Sequence, residues 1–232
     1  MNYKEKYDIF ICGGSRHFPR LQTLLPQLHP YGRLHLGSSF LSDTEARVLS
    51  QHCDLLQTPK YDPDGYANFK LFCTRDINRL ARAPYFIKVD ADVSLSEDWI
   101  EYVDRGMREH ASAVLFGPKE GVARINVERT GSLAREKLGQ EICVKEGRKV
   151  VGGFYVGETA FFQRHDQFMQ RTYDLLYGDP RQSSEDTLRS LVVHAVGAGD
   201  RLLILDSQGK IVIPPCTGNR HSDGRSLGVT QK

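Results

Sequence analysis

Apolar residues in this chain come in short blocks whose spacing switches between strand-like and helix-like. Tyr7–Cys12 (YDIFIC) is a largely apolar run of strand length, halted by Gly13-Gly14-Ser15. Phe18 to Leu28 repeats its leucines near helical spacing. Arg33–Leu36 predicts a second strand, closed by Gly37-Ser38-Ser39, and Asp43–Ser50 a helix capped by Ser42. Asp54–Gln57 predicts a third, short strand. Thr58 to Asn68 (TPKYDPDGYAN) is dense in turn formers and predicts a loop, and Phe69 to Ala81 predicts a helix. After Pro84 comes Tyr85–Val89, the most strand-like run of the chain, and Asp90-Ala91-Asp92 follows it directly.

Ser94 and Glu97 have the spacing of a capping box, and Leu95, Trp99, Ile100, Val103 and Met107 give the following helix an apolar face. Ala113–Phe116 predicts a strand stopped by Gly117-Pro118, and residues 127–149 are polar without a clear period. Gly152-Gly153 introduces a strand over Phe154–Phe162, and Asp166 to Leu176 is helical. Ser183 or Ser184 caps a helix to about Val196, with Glu185 and Asp186 in its first turn. Leu202–Leu205 and Lys210–Ile213 flank Ser-Gln-Gly and predict a hairpin. Residues 217–232 are rich in Gly and Ser, and predict a flexible tail or a lid ordered by ligand.

Strands alternating with helices through the first half predict an α/β fold, a mostly parallel sheet covered on both faces. Ligands of such sheets bind beyond the carboxyl ends of the strands. Gly13-Gly14-Ser15, Gly37-Ser38-Ser39 and Asp90-Ala91-Asp92 would all face that crevice. The 232 residues suit one domain, residues 1–117 forming a first half, 118–216 a second and 217–232 the tail.

Composition narrows the function. A net charge of +2 lacks the dense basic face of a general nucleic-acid binder, so no nucleic-acid partner is expected. The five cysteines (Cys12, Cys53, Cys73, Cys143 and Cys216) contain no CxxC pair and predict reduced, mostly buried thiols. The polar N-terminus does not read as a signal peptide, and no apolar run approaches membrane-span length. A cytoplasmic protein is expected, with peripheral membrane attachment left open.

Asp90 and Asp92 are the leading candidates for chemistry. Two carboxylates in Asp-x-Asp spacing on a turning backbone make a hard-oxygen site suited to Mn²⁺ or Mg²⁺. A surface turn gives the same spacing without function, but here the pair ends an apolar strand. Arg16 is a candidate for phosphate, and Lys70 or Arg75 for another contact with a phosphorylated ligand, against the alternative of solvated side chains. Gly13 and Gly14 suit a tight turn or the close approach of a ligand.

The stretch Arg75 to Val103 (RDINRLARAPYFIKVDADVSLSEDWIEYV) resembles the GT-A glycosyltransferases, especially family-2-like members. Gly152 to Phe168 (GGFYVGETAFFQRHDQF) resembles the family's acceptor-side segment, and Ser183 to Gly197 (SSEDTLRSLVVHAVG) its ED helix start. The resemblance implies a GT-A-type fold, nucleotide-sugar half first and acceptor half second. It implies a nucleoside-diphosphate sugar donor, expected to be a UDP-sugar, and a glycan, lipid-linked or protein hydroxyl acceptor. Asp92 would then bind the metal directly, and Asp90 would hold the ribose or the metal's water shell. Asp186 would be the general base of an inverting transfer, with Glu185 as fallback; an acidic first turn that only stabilises the helix is the other reading. Gly13, Gly14, Ser15, Arg16, Lys70, Arg75 and Ala91 would line the donor site with the two aspartates. His221 (GNRHS) matches the late histidine that supplies a further metal ligand, a lone histidine in a polar tail being the alternative. The sequence departs from the family after its first two strands, where CGGSR and LGSSFLSD stand. A sugar nucleotidyltransferase and a non-catalytic binding module of the same fold are the competing readings.

Overall fold

The computed structural model describes residues 2–38, 41–57, 72–118, 136, 139, 149–150, 152–177 and 185–214, the side chains of 56–57, 175–177 and 185–187 excepted. Seven strands form one sheet: β1 (Tyr7–Cys12), β2 (Arg33–Ser38), β3 (Asp54–Gln57), β4 (Tyr85–Asp90), β6 (Leu115–Pro118), β7 (Phe154–Glu158) and β8 (Leu202–Leu205). Their order is β3-β2-β1-β4-β7-β6-β8. Four of the pairings are parallel, and β7 runs antiparallel to both its neighbours, β4 and β6. A separate two-stranded ribbon joins β5 (Ser94–Leu95) to β9 (Ile211–Val212).

Side-chain alternation along the strands divides the core in two. Ile9, Ile11, Ile87, Val89, Phe154 and Val156 point to one face. Helices α2 (Phe18–Leu28), α3 (Asp43–Leu49) and α5 (Trp99–Glu109) cover it with Leu21, Leu25, Leu49, Trp99, Val103 and Met107. Phe10, Phe86 and Tyr155 point to the other face. A π-helical turn (Phe72–Asp76), α4 (Ile77–Leu80), α6 (Thr159–Arg164), α7 (Asp166–Tyr177) and α8 (Glu185–Ala195) cover that side. Each fully buried large apolar side chain contributes about 1.5–3 kcal/mol, so both faces are needed to hold the sheet.

The amino-terminal edge of the sheet is tied by buried carboxylates. Asp8 accepts both arms of the Arg33 guanidinium at 3.1 Å, and also the backbone N–H of Arg82 and of Ala83. Asp104 on α5 accepts from Lys6, which ends the short helix α1 (Tyr3–Lys6), and from Tyr7 and Arg108. These bonds anchor the edge opposite the carboxyl ends of the parallel strands.

Four sequence expectations are corrected. Ser94 and Glu97 do not form a capping box: Ser94 and Leu95 are drawn into the ribbon with β9, and α5 starts only at Trp99, behind Asp98. Leu202–Leu205 and Lys210–Ile213 do not form a hairpin, because β8 adds to the main sheet beside β6 while β9 leaves to pair with β5. The strand beginning at Phe154 stops at Glu158, and Thr159–Arg164 is helical, its aromatic pair Phe161 and Phe162 buried against Phe86 and His165. The helix expected over Phe69 to Ala81 is, from Phe72 onward, a π turn followed by the single helical turn α4.

Candidate active site

Parallel pairing sets the carboxyl ends of β1, β2 and β4 side by side: Cys12 lies opposite Gly37 on one flank and Asp90 on the other. The backbones beyond them stay joined. Gly13 N–H donates to Gly37 carbonyl at 3.3 Å, and Ala91 N–H to Cys12 carbonyl at 2.9 Å. The antiparallel strand β7 begins at the same edge, so Asp90 N–H donates to the carbonyl of Gly153 at 2.8 Å. The Gly13-Gly14-Ser15 turn, Gly37-Ser38, Asp90-Ala91-Asp92 and Gly152-Gly153 therefore converge; Ser39 lies outside the described residues.

Asp90 and Asp92 differ sharply in surroundings. Asp90 is half-buried, and its Oδ1 takes a bond of 2.7 Å from Lys88, whose side chain is 1% exposed and whose ammonium also donates to the Gly152 carbonyl. Lys88 lies two residues before Asp90 on the same face of β4, over the ring of Tyr155. Asp92 is exposed. It faces His17, whose imidazole burial and the neighbouring Arg16 hold below the usual histidine range while Asp92 draws it back up. The turn is braced from outside by Arg20 of α2, which donates to the Val93 carbonyl at 3.2 Å.

The other expected site residues fall as follows. Ala91 is buried, its Cβ where a side chain on Gly13 would collide with it. Gly14 N–H donates to His17 Nδ1 at 3.2 Å, and Ser15 donates to both oxygens of Glu45 on α3, at 2.8 and 3.0 Å. Glu45 in turn caps its own helix through Ser42, and these bonds hold its carboxyl below the ordinary range, the Ser42 backbone N–H contributing most. Arg16 is exposed on the turn. Arg75 spends its guanidinium on Asp76, 2.8 Å away on the π turn. Glu185 and Asp186 open α8, their side chains outside the description, and Lys70 and His221 lie outside the described residues.

Sequence reasoning missed Lys88, His17 and Arg189. Lys88 carried a signal, a lysine alternating in phase with Asp90 in a buried strand, where an ammonium requires a partner.

Solved structures with the same arrangement decide the fold. TarS of S. aureus (residues 1–349) superposes with a TM-score of 0.53 at 12% identity, over 89% of this chain and 59% of that one. The fold is that of the GT-A glycosyltransferases. Within the GT-A set, glucosyl-3-phosphoglycerate synthase of Mycobacterium tuberculosis, in complex with Mn²⁺, UDP-glucose and phosphoglyceric acid, gives a TM-score of 0.52 at 12% identity, over 94% of this chain and 74% of that one. The apo glycosyltransferase GlyE of Streptococcus pneumoniae gives 0.51 at 11% identity, over 88% and 46%. This chain spans 59% of the TarS chain of residues 1–349. No family model and no curated protein sequence matches it.

Among the described residues no group of three or more His, Cys, Asp or Glu is clustered as a metal site. Of the two carboxylates of the Asp-Ala-Asp turn, Asp90 is engaged by Lys88, and the exposed Asp92 is a hard-oxygen donor of the kind divalent cations take beside a diphosphate, which itself fills coordination positions. No helix among the described residues is long and apolar enough to cross a membrane.

Proposed function

We propose that this protein is a metal-dependent glycosyltransferase that moves a sugar from a UDP-sugar to a hydroxyl acceptor. One observation carries the reading: in a GT-A fold, the Asp90-Ala91-Asp92 turn is bonded to the Cys12 and Gly153 carbonyls at the carboxyl edge of the sheet. Mn²⁺ or Mg²⁺ held by Asp92 would neutralise the charge that develops on the departing diphosphate. The ammonium of Lys88 already sits against Asp90, so a second cation is repelled there, which favours Asp92 as the direct metal ligand and Asp90 as the ribose contact. Gly13, Gly14 and Arg16 lie along the donor edge, and Lys70 and His221 are assigned to the donor and the metal from resemblance alone. Asp186, in the first turn of α8, takes the proton of the acceptor hydroxyl as its oxygen bonds to the anomeric carbon and the bond to diphosphate breaks. Glu185 is the alternative base. Displacement of this kind inverts the anomeric centre.

A thermal-shift screen of UDP, GDP, CDP and TDP with their sugars, each with Mn²⁺ and with EDTA, tests the reading. UDP and at least one UDP-sugar are expected to raise the midpoint only with metal, and Asp92→Ala to abolish that response while keeping the unliganded midpoint. No response to any nucleotide overturns the proposal. A response without sugar transfer from any donor would make the chain a binding module.

A further inference from the structure

Arg189 is fully buried in the middle of α8, in a stretch whose other inward residues, Leu188, Leu191 and Val192, pack by apolar contact. Placing a guanidinium there costs several kcal/mol of desolvation that a leucine avoids. The charge is met by aromatic ring faces and by neutral hydrogen-bond acceptors. The guanidinium lies 4.7 Å from the Phe86 ring centroid and 4.8 Å from that of Phe162. Its Nε donates to the Tyr155 hydroxyl at 3.0 Å, one Nη to Asn78 Oδ1 at 3.1 Å and the other to the Cys73 carbonyl. Among the described residues, no carboxylate lies within ion-pair distance of it.

The three acceptors belong to three elements, β7, α4 and the π turn, and none belongs to α8 itself. Apolar contact leaves a helix free to slide and rotate by fractions of an ångström; three directional bonds do not. Tyr155 is also the cross-strand partner of Lys88, whose ammonium lies over its ring and holds Asp90. A continuous set of contacts thus runs from Asp90 through Lys88 and Tyr155 to Arg189, which stands one helical turn after Asp186.

We propose that Arg189 is a positioning residue for transfer: it fixes α8, and with it Asp186, relative to Asp90. The inference rests on the assignment of Asp186 as base. Displacements of about 1 Å at a reacting group lower rates on the order of 100-fold without weakening donor binding.

The test compares wild type, Arg189→Met, Tyr155→Phe, Asp186→Asn and the double variant R189M/D186N. It measures amide exchange along α8, the midpoint shift by UDP with Mn²⁺, and UDP release from a panel of UDP-sugars including UDP-glucose, with water as the hydroxyl that takes the sugar. R189M is expected to speed exchange in α8, to keep the UDP shift and to lower UDP release about 100-fold. In the D186N background it is expected to cost nothing further, because residues acting through one group are not additive. Y155F is expected to show the same pattern more weakly, and it carries the test should R189M fail to fold. Unchanged exchange in α8, unchanged UDP release, or additive losses in the double variant each overturn the inference. Absence of UDP release by wild type from every donor would instead overturn the transferase reading, with the exchange data still deciding whether Arg189 docks α8. Full activity of D186N removes the base and this route together.

Discussion

At Gly13 an added methyl group would stand 2.9 Å from Ala91 Cβ and about as close to the Leu21 methyls. The glycine is therefore required by the Asp-Ala-Asp turn itself, which presses against the end of β1. Gly13→Ala is expected to destabilise the protein by about 1–3 kcal/mol in urea denaturation, the usual cost of overpacking. Removing the opposing methyl with Ala91→Gly in the same chain is expected to restore part of that loss; a double variant no better than the single one would exclude the clash. Lys88→Met removes the ammonium from half-buried Asp90 and its bond to the Gly152 carbonyl, a loss of about 1–3 kcal/mol read by the same titration. The sequence made Asp90 and Asp92 visible because they interrupt an apolar strand. It hid the difference between them, which depends on Lys88 meeting a carbonyl sixty-odd positions further along. Arg189 was hidden more deeply, since its acceptors among the described residues are all remote in sequence.

Elements stated by local pattern were legible: β1, α2 and β3 span the residues that their periodicity predicts, and Ser42 caps α3 through Glu45 N–H and the Glu45 carboxylate. The segment after Asp92 was not, because its conformation is decided by a partner more than a hundred residues away. Ser94–Leu95 pairs with Ile211–Val212, and Asp98 accepts from Ser96 and from Lys210. These bonds hold the Asp98 carboxyl below its ordinary range, with Lys210 the larger cause. Glu97→Ala is therefore expected to leave the melting temperature unchanged, whereas Asp98→Ala lowers it; the reverse order would restore the capping box. The missed turn at Phe154–Phe162 has a similar origin. Phe161 and Phe162 look like strand residues by composition, yet they are buried as a helical pair beneath Phe86.

For the molecule as a whole, two apolar cores on the two faces of one sheet were readable from strand and helix periods, whereas the antiparallel placement of β7 was not. Burial also leaves three histidines, His17, His35 and His165, below the ordinary range, desolvation being the largest cause in each. His35 is the most enclosed: it stacks on Phe10 at 4.7 Å, and its Nε2 has no partner among the described residues. A histidine whose folded pKa is depressed binds its proton more readily when unfolded. Its stabilising effect is complete above the unfolded value of about 6.5 and is lost as pH falls from there toward the folded value. Thermal midpoints are expected to drop between pH 7 and pH 5, and less steeply in His35→Gln; an equal slope in both proteins would remove His35 from the account.

The central strand β4 draws its two neighbours from opposite ends of the chain, Tyr85 pairing with Tyr7 before it and with Glu158 after it. During synthesis, β1 to β4 can assemble as soon as they leave the ribosome. Until Phe154–Glu158 follows, one flank of β4 stays an open row of peptide groups, able to template the wrong strand. Pairings so distant in sequence also close slowly. Nascent chains halted before residue 154 are thus the species to watch for aggregation and chaperone capture, and release beyond residue 158 is the step that makes the growing chain safe.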